Sequence, residues 1–206
     1  PVNEAIWYDL GNWQAIKITA QGWEIVKNPP ILFKKHKHQK PIDAFQISPS
    51  GDVKKVLRFV NIKDEKERLL FVVSLVSYFI PDIPHVILVQ HGEKGATKTT
   101  LLRINKKLID PSIIEGLSIP KDRTEFVQQL SHHYYSPYDN VTQLYDWQSD
   151  ILCRAVTGEG FSKRELWTDD EDVIYSFQRC IALNGINVVA TKADLLDRSV
   201  LIGLER

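Results

Sequence analysis

Apolar and polar positions change rhythm near residue 60. Before it, short apolar stretches alternate with polar residues and are separated by Gly, Asn and Pro, at residues 6–11, 15–19, 22–26 and 31–33. A period of two bounded by turn residues predicts strands, here a small β-rich region over residues 1–55. After it, apolar residues recur three and four apart, the spacing of a helix with one buried face. This predicts helices over residues 65–79, 99–108, 124–130 and 146–157, the last with Trp147, Ile151, Leu152 and Ala155 on one side. Between them lie short apolar runs at residues 86–90, 134–140, 180–183 and 200–204, which read as strands. Residues 56–60 fit a strand or a helix end, 193–197 a helical turn, and 161–167 with 173–177 a hairpin. Helices alternating with buried strands predict an α/β core over residues 56–206, a mostly parallel sheet flanked by helices. The turn-rich residues 47–52 are the best linker between the two parts.

One stretch organises the core. The apolar residues 86–90 run into Gly92-Glu93-Lys94-Gly95-Ala96-Thr97-Lys98-Thr99-Thr100, and a periodic segment follows. This is the strand, loop and helix order of a phosphate-binding loop. Gly92 and Gly95 can take positive φ and let successive N–H groups face phosphate oxygens. Lys98 then reaches the β/γ-phosphates, Thr99 offers a hydroxyl to Mg²⁺, and the opening helix adds its positive dipole end. The expected ligand is a nucleoside triphosphate with Mg²⁺. Thr97 departs from the usual spelling, since it stands where the last glycine belongs. An ordinary strand, turn and helix with a surface lysine is the bland alternative.

Two strand ends can complete such a site. Asp139 closes the aromatic run at residues 134–140, where a carboxylate facing the loop would hold the metal's water shell. Pro137 inside that run is awkward for a central strand. Asn184 ends the run at residues 180–183, where its amide can orient the attacking water or touch the γ-phosphate.

Composition narrows the partners. Lys plus Arg number 26 and Asp plus Glu 26, which excludes a globally basic coat but permits a local basic channel. The only dense basic run is Lys34-Lys35-His36-Lys37-His38-Gln39-Lys40, more often a solvated loop than a nucleic-acid contact. His36 and His38 have no neighbours that complete a metal site. Cys153 and Cys180 lack metal-ligand spacing, and so few thiols point to a reducing cytoplasm. The longest apolar run, residues 69–80, is well short of the ~20 residues of a membrane span. A chain that begins at Pro1 and contains no methionine reads as an excised core.

The residues of the loop, Asp139-Asn140, Gly160-Phe161-Ser162-Lys163-Arg164-Glu165-Leu166, Leu183-Asn184-Gly185-Ile186 and Asp194-Leu195-Leu196-Asp197-Arg198-Ser199 together resemble AAA+ ATPases of phages and mobile elements, related to superfamily-three helicases and primase-helicases. The resemblance covers roughly residues 60–206, and that family tolerates the Thr97 spelling. It implies an ATP-hydrolysing motor for DNA replication, working as a homo-oligomeric ring on single-stranded DNA. It makes Lys98 and Thr99 the Walker A pair, Asp139 Walker B, Asn184 sensor 1, and Arg198 an arginine finger for a neighbouring subunit. It makes residues 161–177 a channel-lining hairpin. Asn140 stands where many such enzymes carry a catalytic Glu, and the hairpin tip at residues 168–172 is acidic, which leaves Lys163 and Arg164 at its base as the DNA contacts. The helical lid expected after Arg206 is absent. The alternatives are a nucleotide-binding switch or scaffold without productive hydrolysis, which Asn140 favours, and a P-loop small-molecule kinase, for which neither an acceptor lid nor a base is found.

Overall fold

A computed structural model describes residues 5–42, 51–164 and 172–206 of the chain. The expected linker at 47–52 and hairpin tip at 168–172 therefore fall largely outside the described residues.

Three of the four β-prone runs of the N-terminal part form an antiparallel meander of β1 (Ile6–Gly11), β2 (Gln14–Thr19) and β3 (Gly22–Lys27). The fourth run, residues 31–33, is not a strand. It follows Pro29 and Pro30, which have no N–H for a ladder. The segment after β3 ties the meander to the rest of the chain by backbone bonds, Ile42 N–H to Leu10 O at 2.8 Å on the meander side, and Lys40 N–H to Pro111 O at 2.9 Å and Ile113 N–H to His38 O at 2.8 Å on the other. The Tyr8 hydroxyl adds a bond to Leu108 O at 2.9 Å.

Of the two readings for residues 56–60, the helix end is the one observed: a 3₁₀ helix spans Val53–Phe59 and Val60 is its extended C-cap. Asp64 then caps α1 (Glu65–Ser77) by accepting from Lys66 N and Glu67 N at 2.9 Å each, a cap of the kind worth about 1 kcal/mol. The remaining elements are β4 (Ile87–His91), α2 (Lys98–Ile109), α3 (Arg123–His132), β5 (Tyr135–Tyr138), α4 (Asp146–Thr157), β6 (Phe161–Arg164), β7 (Asp172–Tyr175), β8 (Cys180–Gly185), α5 (Ala193–Asp197) and β9 (Ser199–Gly203).

β4, β5, β8 and β9 make one parallel sheet in the order β5-β8-β4-β9. Alternation along β4 divides the core. Ile87 and Val89 join Phe126 and Leu130 of α3, Ile151 and Val156 of α4 and Leu195 of α5 on one face. Leu88 joins Phe71 and Leu75 of α1 and Leu101 and Leu102 of α2 on the other. Both faces are covered, which is why these strands read as unbroken apolar runs. At roughly 1.5–3 kcal/mol per fully buried large side chain, these two layers supply most of the drive to fold.

Pro137 is accommodated because β5 is the edge strand. Beyond it, among the described residues, only Leu117 pairs, donating to Pro137 O at 2.8 Å and accepting from Asp139 N at 3.0 Å. The missing N–H of Pro137 faces that outer side, where no ladder needs it. Among the described residues, no helix is long and apolar enough to cross a membrane.

Candidate functional site at the carboxyl ends of the strands

β8 lies between β4 and β5, although the chain reaches β5 first. The strand ends on either side of such a crossover splay apart and leave a crevice. The in-register pairs Gln90–Asn184 and Leu183–Tyr138 bring the ends of all three strands to one level. Residues 92–100 leave β4 there, and Asp139 leaves β5 directly after it.

The loop is shaped by close backbone contacts. Gly92 has φ +148°, its N–H bonds Ile186 O at 3.2 Å, and a β-carbon at this position would overlap the Leu204 carbonyl oxygen. Gly185 is equally constrained, since its β-carbon would lie 2.6 Å from Val141 O. Thr97 adopts φ +58°, the left-handed conformation that a glycine would take without cost. A β-branched residue there is strained by roughly 1–3 kcal/mol. α2 begins at Lys98, so the first-turn N–H groups of Lys98, Thr99 and Thr100 have no upstream helical carbonyl to bond. They form an anion-attracting end.

The polar side chains converge on one oxygen. Asp139 Oδ1 accepts from Asn184 Nδ2 at 2.6 Å, from Thr99 Oγ1 at 3.2 Å and from the Asn140 N–H at 2.9 Å. Among the described residues nothing donates to Asp139 Oδ2. Lys98 Nζ folds back onto Gly92 O and Glu93 O, both at 2.7 Å. These neutral partners are exchangeable for a phosphate, which would offer a full opposite charge. Lys94, Gly95, Ala96, Thr97, Lys98, Thr99 and Thr100 face Asn140, Asn184 and Gly185 across an open cleft of about 420 Å³. The Thr99 hydroxyl and the Asp139 carboxylate are hard oxygen donors of the type Mg²⁺ takes, alongside water and phosphate.

The expected residues thus divide into two groups. Lys98, Thr99, Asp139 and Asn184 come together. Arg198 does not join them. It precedes β9 and accepts the Ile87 N–H at the start of β4, so a strand of five residues, about 16 Å, separates it from the loop. There it pairs with Asp194. Lys163 and Arg164 end β6, opposite Val173 and Asp172. The hairpin root is at the same amino-terminal edge of the sheet, because it follows α4, whose Ala155 and Val156 carbonyls accept from Arg179 and His85 just ahead of β8 and β4.

Two residues near the cleft escaped the sequence reading. Gln90 is wholly buried beside Asn184, and its amide meets no partner among the described residues. A polar residue inside an otherwise apolar strand was the available signal. Arg206 carries its Nε to 3.8 Å from where a Gly95 β-carbon would stand, a proximity created by the turn after β9. Cys153 and Cys180 are free and buried, and burial raises both thiols above their usual range.

A search of curated proteins gives no match. The model of the actinomycete integrative conjugative element replication protein matches residues 53–206, from the 3₁₀ helix to the last residue and including every element of the cleft. The chain therefore belongs to that family of mobile-element replication proteins.

Proposed function

We propose that the core is an AAA+ ATPase, the ATP-hydrolysing motor of the element's replication machinery, acting on single-stranded DNA in a homo-oligomeric ring. One observation carries the reading: Asp139 Oδ1 is held jointly by Thr99 of the loop helix and Asn184 of the intervening strand. Anion cradle, metal-facing carboxylate and polar strand end occur together nowhere else among the described residues. The order β5-β8-β4-β9, with the Asn184 strand between the loop strand and the Asp139 strand, also supports an AAA+ core. In this reading Lys98 exchanges two carbonyls for the β/γ-phosphates, Thr99 and Asp139 hold Mg²⁺, and Asn184 orients water. Phosphoryl transfer through a loose transition state depends chiefly on positioning and charge, so Asn140 in place of a Glu does not by itself exclude turnover.

A second reading, a nucleotide switch without productive hydrolysis, is favoured by the side chain of Asn140, an amide that cannot act as a base. Titration with ATP and Mg²⁺ together with a phosphate-release assay tests both. Lys98→Ala removes charge-assisted contacts worth roughly 1.5–3 kcal/mol each and should weaken ATP by about 10²-fold or more. Undiminished affinity and turnover in that variant overturns the ATPase reading. Tight binding without turnover in the assembled wild type selects the switch.

A further inference from the structure

Where the N-terminal meander meets the α/β core, two adjoining clefts of about 310 and 400 Å³ share Lys34, Gln39 and Tyr134. The first is walled by Trp7, Phe33 and Phe79, the second by His36, Tyr175 and Arg179. They lie at the edge of the sheet away from residues 92–100, since Tyr134 and Arg179 immediately precede β5 and β8.

The charge of this seam is unbalanced. Its carboxylates are already engaged: Asp9 with Lys35 and the Gly11 N–H, and Asp110 with Lys106 and the Tyr134 and Tyr135 N–H groups. Lys34, Lys37 and Lys40 are exposed and pair with no carboxylate among the described residues. Among the described residues Arg179 donates only to the carbonyls of Leu130, Ser131 and Gln178, and its guanidinium lies 4.6 Å from the centre of the Phe177 ring. In a chain with equal numbers of acidic and basic residues, three such cations lining one seam, Lys34, Lys40 and Arg179, with Lys37 exposed on the same segment between two of them, are a local excess. The imidazoles add flat surface: His36 stacks on His38 at 5.5 Å and meets His132 at 4.9 Å. Burial first, then His132 and His38, and then Lys34 and Arg179, hold His36 below its ordinary value.

A groove of cations interleaved with partly exposed rings suits a chain that carries a phosphate on every unit and has bases free to stack. A duplex keeps its bases stacked on one another and leaves such rings unused. We propose that this seam is the track for single-stranded DNA, with phosphates on Lys34, Lys37, Lys40 and Arg179 and bases against Trp7 and Phe33. The track rests on the replication-motor reading. It passes the root of the β6–β7 hairpin, because Tyr175 and Phe177 flank the second cleft.

The test measures fluorescence anisotropy of a labelled oligothymidylate of about 20 nucleotides over a salt series, with the full chain. Lys34→Ala, Lys37→Ala and Lys40→Ala combined should lower the log–log salt slope by about 2, at roughly 0.7 per phosphate contact on a single strand. A thermal melt verifies that these exposed substitutions leave the fold intact. An abasic strand of equal length and charge should bind the wild type about tenfold more weakly. The proposal is overturned by wild-type affinity and slope in the triple variant, by equal binding of the abasic strand, or by loss of binding only with Lys163→Ala and Arg164→Ala. None of these alters ATP binding. Failure of the wild type to bind ATP would remove the ATPase reading and leave the seam in place.

Discussion

Two of the three lysines of helix α2, Lys98 and Lys106, are in opposite situations, about 12 Å apart along its axis. Lys98, at its first residue, leans on two loop carbonyls in an open cleft, opposite a carboxylate with one oxygen still available. Lys106, two turns on, is 0% exposed and is held by Asp110 at 2.6 Å, by Tyr135 O at 2.7 Å and by His133 Nδ1 at 3.2 Å. The same residue types, Lys and Asp, form an exchangeable site at one end and a sealed joint at the other. What differs is whether the remaining donors and acceptors have partners. A charge with only neutral partners can be recruited by a ligand, whereas a fully satisfied buried pair is costly to disturb. One helix therefore connects the loop at residues 92–100 with the joint that anchors the N-terminal region.

The largest effect expected concerns the amino-terminal edge. Arg198 stands too far from its own loop to serve it, so any catalytic role must be toward a neighbouring subunit. Arg198→Ala should leave ATP affinity unchanged and lower turnover by about 10³–10⁵. Mixing it with Lys98→Ala should restore part of the activity through composite interfaces. Full turnover from a dilute monomer would break the division of labour between the two edges.

The second test sets the lysines against each other. Lys106→Ala should destabilise the fold by about 3–5 kcal/mol, because it leaves Asp110 buried and unpaired. Lys98→Ala should stay within about 0.5 kcal/mol of wild type in a denaturant melt. Lys106→Met with Asp110→Asn should recover much of the loss, since a buried pair replaced as a unit is often neutral. The same joint sets an acid sensitivity. Burial, with Lys106, His38 and His132 adding to it against Asp110, pushes His133 down to about 3. A histidine whose value falls on folding is neutral in the fold. Its contribution is therefore whole above the unfolded value of about 6.5 and is lost as pH drops from there toward 3. His133→Gln should flatten that part of the stability profile. An unchanged profile would remove His133 from the joint's energetics.

The smallest effect is at the loop. Thr97→Gly relieves a left-handed β-branched residue and should stabilise the fold by about 1 kcal/mol, raising the midpoint by roughly 2–4 °C. Lower stability would mean that the Thr97 hydroxyl bond to Ala96 O outweighs the strain.

Much of the cleft was legible because it is local. Gly92, Lys98 and Thr99 are close in sequence, and the strand before them and the helix after them fix their relative placement. Asp139 and Asn184 were legible as polar residues closing apolar runs. Helix bounds were nearly so: the expected 146–157 is α4 to the residue, while 65–79 shortened to end at Ser77.

The sequence by itself determined most of the helices and strands, residues 31–33 being an exception, and which strand ends are polar, because side-chain periodicity and turn chemistry act over a few residues. Only the tertiary structure decided that β8 separates β4 from β5, placing Asn184 on Asp139 from 45 residues away. It alone joined residues 34–40 to Arg179. Lys106 and Lys107 are adjacent and chemically identical, yet one is sealed and the other is 63% exposed. The phase of α2 decides between them: Leu102, Asn105, Lys106 and Ile109 share the buried stripe, and a lysine can stay there only because Asp110, Tyr135 and His133 arrive from elsewhere in the chain to satisfy it.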